Sequence, residues 1–344
     1  MTARVIEQHR DHYKVSTPHG EVQAELKGSL IYDAVLREEL PCVGDFVRLR
    51  YNENGPSIIE EVLPRSSKFS RANHFGGGIG HVKANREQVV AANFDYVFII
   101  TSLNKDFSVN RVSRYLTQAW QSGGQPVILL SKADLVENFA AQLAEVSAAA
   151  PGVPVHAIST YTGLGLDELE EYLQPEKVIV FLGMSGVGKS SLVNALMSPG
   201  KNETVEVMAV KEIREDDSRG RHTTTHRQLL TLPSGAMVID TPGMREIGIY
   251  DAEEGISASF ADVESLFADC RFSDCRHETE PDCAVRAALA DGTLSPEQWE
   301  RYQAQARENK YLDNKIAFRA MRAAQYKSLA KWSKEMKKSG GIRK

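Results

Sequence analysis

Apolar and polar positions alternate through most of the first 70 residues, in short segments bounded by turn residues. This alternation predicts β-strands. The predicted strands are Ala3–Gln8, Tyr13–Ser16, Glu21–Glu25, Phe46–Tyr51 and Ser57–Leu63. Five short strands in so few residues predict a small closed β-barrel. An oligonucleotide-binding (OB) barrel and a barrel with only a structural role both satisfy the pattern.

After residue 92 the pattern changes to continuous apolar runs that alternate with helical periodicity. The predicted strands are Tyr96–Thr101, Pro126–Ser131, Val153–Ser159 and Val178–Gly183, and the predicted helices are Val109–Gln121, Leu135–Ala149 and Leu166–Leu173. This order predicts a mostly parallel sheet with helices on both faces. Three consecutive glycines within Asn73–Gly80 predict a linker or flexible loop ahead of it. From about Ser257 onward the chain is predicted to be helical, except for the cysteine cluster.

A phosphate-binding loop is the strongest motif. Gly183–Ser190 fits G-x-x-x-x-G-K-S and stands between an apolar strand and the helical segment Ser191–Met197, which is the context the motif requires. Glycines let successive backbone N–H groups face phosphates. We expect Lys189 to reach the β- and γ-phosphates and Ser190 to bind Mg²⁺. The candidate residues are Gly183, Gly186, Val187, Gly188, Lys189, Ser190 and Ser191.

A second phosphate-side motif, Asp240–Gly243 (D-T-P-G), follows the apolar strand Ala236–Ile239. A predicted hairpin with Arg227–Thr231 precedes it. An Asp at such a strand end holds the Mg²⁺ shell in many nucleotide hydrolases, and the Gly243 amide can contact the γ-phosphate.

The base-recognition candidates come earlier in the chain. A guanine reader needs a carboxylate for the ring N1 and the exocyclic amine, and a lysine stem to cover the base. Ser131–Asp134 (S-K-A-D) supplies Asp134 and Lys132 and resembles the N-K-x-D signature of GTPases, with Ser131 in place of asparagine. Ser159 and Thr160 resemble the short motif whose backbone contacts the guanine oxygen.

Cysteine usage points to a metal. Three of the four cysteines, Cys270, Cys275 and Cys283, cluster with His277. Three thiolates and one imidazole satisfy tetrahedral Zn²⁺ with no open position, which predicts a structural site. Three free cysteines that happen to be adjacent are the alternative. Cys42 is predicted to be a buried apolar residue.

Charge is unevenly distributed. The chain has a net charge of −5, yet residues 310–344 hold eleven Lys/Arg against two acidic residues. The tail places Lys315, Arg319 and Arg322, then Lys327, Lys331, Lys334 and Lys338, at helical intervals. Such a stripe fits a polyanionic partner such as RNA, or a solvated helix with no partner. Because no long uncharged apolar run and no apolar signal core occur, we expect a cytoplasmic protein without membrane contact.

The order of these motifs resembles that of the circularly permuted GTPases, in which the base motifs precede the phosphate loop. Gly220–Thr225 (G-R-H-T-T-T), the spacing of the Cys/His cluster and Leu63-Pro64-Arg65 narrow the resemblance to the ribosome small-subunit-dependent GTPase A family, also called RsgA or YjeQ. This resemblance covers nearly the whole chain.

The resemblance implies an α/β fold in three parts. An OB-type barrel covers 1–70, a linker 71–92, a circularly permuted P-loop GTPase domain with a mostly parallel sheet 93–256, and a helical zinc-binding domain with a basic tail 257–344. It also implies GTP hydrolysis stimulated by the small ribosomal subunit, a late role in maturation of that subunit, binding to its rRNA, and a monomer.

The candidate catalytic residues follow the phosphate loop, in the G-R-H-T-T-T and D-T-P-G segments. Many GTPases place a water-orienting glutamine after D-x-x-G, but Met244 stands there, so we expect slow intrinsic hydrolysis and a partner that completes the site. Of the three switch threonines we favour Thr224 as the Mg²⁺ ligand. His222 is the candidate to position or deprotonate water, or else a phosphate or RNA contact. A small-molecule P-loop kinase and a non-catalytic RNA-binding clamp are the rival functions.

Overall fold

A computed structural model describes residues 1–9, 12–33, 40–73, 86–104, 107–198, 227–240 and 252–311. The first strands are β1 (Thr2–Gln8), β2 (Tyr13–Thr17), β3 (Gly20–Leu26), β4 (Phe46–Arg50) and β5 (Ser57–Val62), with a short helix α1 (Gly28–Asp33). They pair in the order β1–β2–β3–β5–β4, and β4 returns to pair with β1. This confirms the predicted OB-type barrel. Alternate residues such as Val5, Val15 and Val47 fill its interior.

An antiparallel hairpin that the sequence pattern did not predict follows the barrel. It consists of β6 (Lys68–Asn73) and β7 (Arg86–Ala92). The triple glycine of the predicted loop falls within 74–85, which lies outside the described residues.

The parallel sheet carries the phosphate loop. Its elements are β8 (Tyr96–Ser102), α2 (Val109–Gln121), β9 (Gln125–Ser131), α3 (Ala140–Ala149), β10 (Val155–Ala157), β11 (Val178–Leu182), α4 (Lys189–Met197), β12 (Arg227–Thr231) and β13 (Met237–Asp240). The strand order is β10–β9–β8–β11–β13–β12, and only β12 runs antiparallel to its neighbour within this order. One apolar core lies on each face, so the strands are buried on both sides as their continuous apolar runs predicted.

Two predicted helices are shorter than expected. The predicted helix Leu135–Ala149 is helical only from Ala140, where α3 begins, and a separate 3₁₀ turn, Ala133–Leu135, precedes it. The Asn138 side chain accepts the Ala140 N–H and so competes with a continuous helix. Of the predicted helix Leu166–Leu173, only Asp167–Leu169 is helical, and it forms a 3₁₀ turn.

Barrel and parallel sheet form one continuous sheet of eleven strands, because β1 pairs with β12 at Glu7↔Gln228 and Gln8↔Arg227. Arg65 and Asp45 add a buried ion pair at this junction. The guanidinium donates through Nε and Nη2 to both carboxylate oxygens at 2.7 Å, and Asp45 is 0% exposed.

The C-terminal helices are α5 (Glu253–Ser259), α6 (Ala261–Ser265), α7 (Ala284–Asp291) and α8 over 296–311. They dock on α2 through buried polar contacts. Thr117 donates to Gln305 Oε1 at 2.7 Å, and Gln305 Nε2 donates to the Ser113 hydroxyl at 2.9 Å. Arg114 also pairs with Glu308. None of the helices within the described part of the chain has the length and apolar character to cross a membrane.

Candidate nucleotide site and metal centre

The phosphate loop connects the end of β11 to the start of α4, beside the central strands. Two glycines fit their positions for different reasons. A Cβ on Gly183 would lie 2.4 Å from the Ile100 carbonyl oxygen. Gly188 has φ +102°, and a Cβ there would meet nothing within 4 Å. The loop is therefore closely packed where it leaves the sheet and open where it enters the helix, which is the shape of a phosphate cradle.

The first turn of α4 holds the polar groups of this end. Lys189 Nζ donates to the Gly183 oxygen at 2.6 Å and to the Met184 oxygen at 2.5 Å, so the ammonium folds back over the loop. Ser190 and Ser191 follow in the same turn. The Ser190 hydroxyl makes no hydrogen bond with the residues that the structure describes, which leaves it free for an added cation.

Asp240 ends β13, the neighbour of β11 in the sheet. Burial raises the pKa of Asp240, and the positive charge of Lys189 opposes that rise. A carboxylate removed from water and facing a lysine is a site that a divalent cation would stabilise. The start of α4, which follows β11, thus places Lys189 near enough to Asp240 at the end of β13 to affect its pKa.

The candidate base-recognition residues lie at the ends of β9 and β10, which pair in parallel. Asp134 Oδ1 accepts a hydrogen bond of 2.6 Å from the Ser159 hydroxyl. Its Oδ2 has no partner among the described residues, and the side chain is exposed. Lys132 has φ +59° at the turn, and Thr160 is exposed beside Ser159. The Asp134 carboxylate therefore has one oxygen fixed by a hydrogen bond and one oxygen that can accept from the N1 and amine groups of guanine.

Ser131 links the two ends of the site. Its hydroxyl donates to the Val187 backbone oxygen at 2.6 Å and lies 3.3 Å from the Thr101 oxygen. A hydroxyl has one proton, and the shorter contact identifies Val187 as its main acceptor. Nothing in the sequence signals this contact, since the two residues lie 56 positions apart.

Several predicted residues lie outside the described residues. These are His222, Thr223, Thr224 and Thr225 of the switch motif, together with Gly243 and Met244. In the chain, the switch motif precedes β12, which begins at Arg227, and Gly243 and Met244 follow β13, which ends at Asp240.

The structure also brings together the four predicted metal ligands, Cys270, Cys275, His277 and Cys283. Their ligand atoms all lie within 4.8 Å of one another. His277 Nδ1 is 3.6 Å from Cys270 Sγ and 3.5 Å from Cys283 Sγ. Tetrahedral zinc, with bonds of about 2.3 Å to sulfur and about 2.0–2.1 Å to nitrogen, separates such atoms by roughly 3.5 Å. The donor set and spacing therefore fit Zn²⁺.

Glu280 shapes the loop that carries His277. Its carboxylate accepts backbone N–H groups from Arg276 and Glu278 at 2.9 Å and from Thr279 at 3.0 Å. These hydrogen bonds, that from Arg276 first, lower the pKa of Glu280 to about 2. Glu280 therefore fixes the backbone of the loop that carries His277, one of the four candidate zinc ligands, and the spacing of the cysteines does not reveal this contact.

The candidate base-recognition motifs precede the phosphate loop in the chain, yet the parallel sheet brings them to the same site. This arrangement defines a circularly permuted P-loop GTPase. Residues 62–250 match the RsgA GTPase family. The protein is 45% identical over 311 residues to the small ribosomal subunit biogenesis GTPase RsgA 2 of Lactiplantibacillus plantarum, covering 90% of this chain and 84% of that protein. The chain therefore belongs to the RsgA GTPase family.

Further relatives agree with this assignment. Identity is 46% over 308 residues to the small ribosomal subunit biogenesis GTPase RsgA 1 of Listeria innocua, covering 90% of this chain and 83% of that protein. The structure of YjeQ from Thermotoga maritima superposes with a TM-score of 0.65 at 28% identity, over 88% of this chain and 96% of that one. YloQ, described as a circularly permuted GTPase, shares the fold with a TM-score of 0.62 at 22% identity, over 91% and 96%.

Proposed function

We propose that this protein hydrolyses GTP on the small ribosomal subunit, assists the late maturation of that subunit, and is stimulated by it. The names of its relatives support the biological role. The observation that carries the chemistry is the Ser131–Val187 hydrogen bond, which makes the base motif and the phosphate loop one unit.

In this proposal guanine binds at the ends of β9 and β10. Asp134 accepts from the ring N1 and the exocyclic amine, the Lys132 stem covers one face, and the backbone of Ser159 and Thr160 meets the base oxygen. The phosphates lie on the loop, where the binding residues are Gly183, Gly186, Val187, Gly188, Lys189, Ser190 and Ser191. A Mg²⁺ ion would be held by Ser190, Thr224 and the Asp240 shell, and it would supply positive charge against the charge that develops on the phosphates. The Gly243 amide would contact the γ-phosphate.

Hydrolysis requires a positioned water and compensation of charge. Lys189 supplies positive charge at the phosphates. Thr224 would bind Mg²⁺, and His222 would orient the water or accept its proton once the partner has bound. Met244 cannot replace a water-orienting glutamine, so turnover without the partner is slow.

The remaining parts serve binding and stability. A single structural Zn²⁺, bound by Cys270, Cys275, His277 and Cys283, holds the C-terminal domain. The basic tail and the barrel contact rRNA, and phosphate contacts of this kind make binding strongly dependent on salt. The protein acts as a cytoplasmic monomer without membrane contact.

The test is GTP turnover measured with purified small subunits, large subunits and neither, with ATP as the competing substrate. We expect stimulation by small subunits only, and no turnover of ATP. Equal rates in all three conditions would overturn subunit dependence. Preferential use of ATP would favour the P-loop kinase, and binding to the subunit without turnover would favour the clamp.

A matched variant makes the base assignment specific. Asp134→Asn replaces an acceptor with an amide that can donate to the 2-oxygen of xanthine. The variant should lose GTP turnover and gain subunit-stimulated XTP turnover, because the rest of the site is intact. Loss of both activities, in a protein that still unfolds cooperatively, would contradict the placement of the base.

A further inference from the structure

Tyr161 has the most exposed large hydrophobic side chain in the described part of the chain. It is 89% exposed, whereas the next largest values are 66% at Leu135 and 63% at Tyr311. A single exposed apolar side chain is ordinary at a protein surface. Tyr161, however, lies two residues after Ser159 of the candidate base-recognition motif, so its exposed ring is close to the proposed guanine site.

The loop that presents Tyr161 is held by hydrogen bonds at its base. The Ser159 hydroxyl accepts the backbone N–H groups of Tyr161 and Thr162, each at 3.2 Å, while it donates to Asp134. The Gly163 N–H donates to the Ser159 carbonyl at 2.9 Å. The Tyr161 backbone is therefore fixed relative to the Asp134 carboxylate, and the exposure of its ring does not come from a loosely held chain.

We propose that Tyr161 stacks on the purine base, on the face opposite the Lys132 stem. Two residues span at most about 7 Å, so the Tyr161 Cα lies no farther than that from the Ser159 Cα, and Ser159 is hydrogen bonded to the Asp134 carboxylate. Tyr161 follows β10 and Lys132 follows β9, which are paired strands. The two side chains thus approach the base from adjacent strand ends, and an aromatic ring favours a flat π-system. This inference rests on the proposed guanine site.

The Ser131 hydroxyl is already hydrogen bonded to the phosphate loop, so another residue has to supply affinity for the base. The hydroxyl donates to Val187, so it contributes no donor to the base where an asparagine amide could. Stacking adds affinity without choosing between bases, because every base has a π-face. Tyr161 therefore supplies affinity for the base, and Asp134 supplies the choice of guanine.

The experiment measures equilibrium binding of GDP, IDP and inorganic pyrophosphate to the full chain by calorimetry. Tyr161→Ala should weaken GDP and IDP binding by the same factor, about tenfold, and leave pyrophosphate binding unchanged. Tyr161→Phe should restore both nucleotides. Leu164→Ala, which truncates another exposed apolar side chain of the same loop, should bind all three ligands as the wild type does. In Tyr161→Trp the indole emission should change when GDP is added and not when pyrophosphate is added.

Two results would overturn the stacking role. The first is wild-type GDP affinity in Tyr161→Ala, including the case in which that variant loses only its binding to small subunits. The second is an equal loss for pyrophosphate, which would mean a general disturbance of the site. Failure of the wild-type protein to bind GDP would overturn the proposed function itself, and the role of Tyr161 with it.

Discussion

The hydroxyl of Ser131 lies 2.6 Å from the backbone oxygen of Val187 and joins the base motif to the phosphate loop. Ser131 is 6% exposed, so this hydrogen bond is shielded from water. A shielded hydrogen bond is costly to break, because the acceptor that remains has no water to replace its partner. The serine that departs from the N-K-x-D pattern therefore keeps the two halves of the site in register.

Ser131→Ala should destabilise the protein by about 1–3 kcal/mol, because it leaves the Val187 oxygen without its donor. It should also weaken GDP binding. Ser131→Asn should keep the link and add a base contact, so its GDP affinity should equal or exceed that of the wild type. Chemical unfolding and GDP titration measure both effects. Ser147→Ala, on the exposed face of α3, is the control with little expected effect. Unchanged stability and affinity in Ser131→Ala would mean that the hydrogen bond contributes nothing.

Asp240→Asn should make the nucleotide-free protein more stable at neutral pH. Burial raises the pKa of Asp240, so its ionised form costs folding free energy above that raised pKa. The cost declines as the pH falls through it and is absent below the ordinary pKa of aspartate. The gain in melting temperature should therefore shrink as the pH is lowered. The same variant should lose Mg²⁺-dependent GTP affinity. Asp167→Asn, at an exposed position, is the matched control, and a lower melting temperature in Asp240→Asn at pH 8 would contradict this reasoning.

Glu280→Gln should accelerate the release of zinc to a chelator and lower the melting temperature, since an amide accepts backbone N–H groups more weakly than a carboxylate. The pKa of Glu280 is lowered to about 2, so its contribution is complete above the ordinary glutamate pKa and is lost only as the pH falls toward 2. The difference from wild type should thus be constant between about pH 6 and 8. Glu278→Gln, an exposed neighbour, should release zinc at the wild-type rate. Identical release rates for the two variants would refute the positioning role.

Arg65→Met should destabilise the protein by about 3–5 kcal/mol, because it leaves the Asp45 carboxylate buried without its cation. The double variant Asp45→Asn with Arg65→Met removes that charge and should recover part of the loss. Urea unfolding of the wild type, both single variants and the double variant completes a mutant cycle. Arg48→Met, at an exposed barrel position that pairs with Glu61, should cost less than about 1 kcal/mol. If Arg65→Met also lost less than about 1 kcal/mol of unfolding free energy, the junction of barrel and parallel sheet would not depend on the Arg65–Asp45 ion pair.

The sequence by itself determined the barrel strands, most strands of the parallel sheet and the short motifs. Alternation of apolar residues predicts the barrel strands, and α2 begins and ends at Val109 and Gln121 as its periodicity predicts. The phosphate loop and the cysteine cluster are equally local, because their residue types and spacings can be read without knowing what lies across the fold. The His222 and Thr224 assignments stay predictions.

The tertiary structure alone decided how distant residues combine. The Ser131–Val187 bond, the Arg65–Asp45 pair and the union of β1 with β12 join residues far apart in the chain, and no local pattern encodes such partners. Propensity acts over a few neighbouring residues, whereas these contacts exist only after the chain has closed its sheet and excluded water from it.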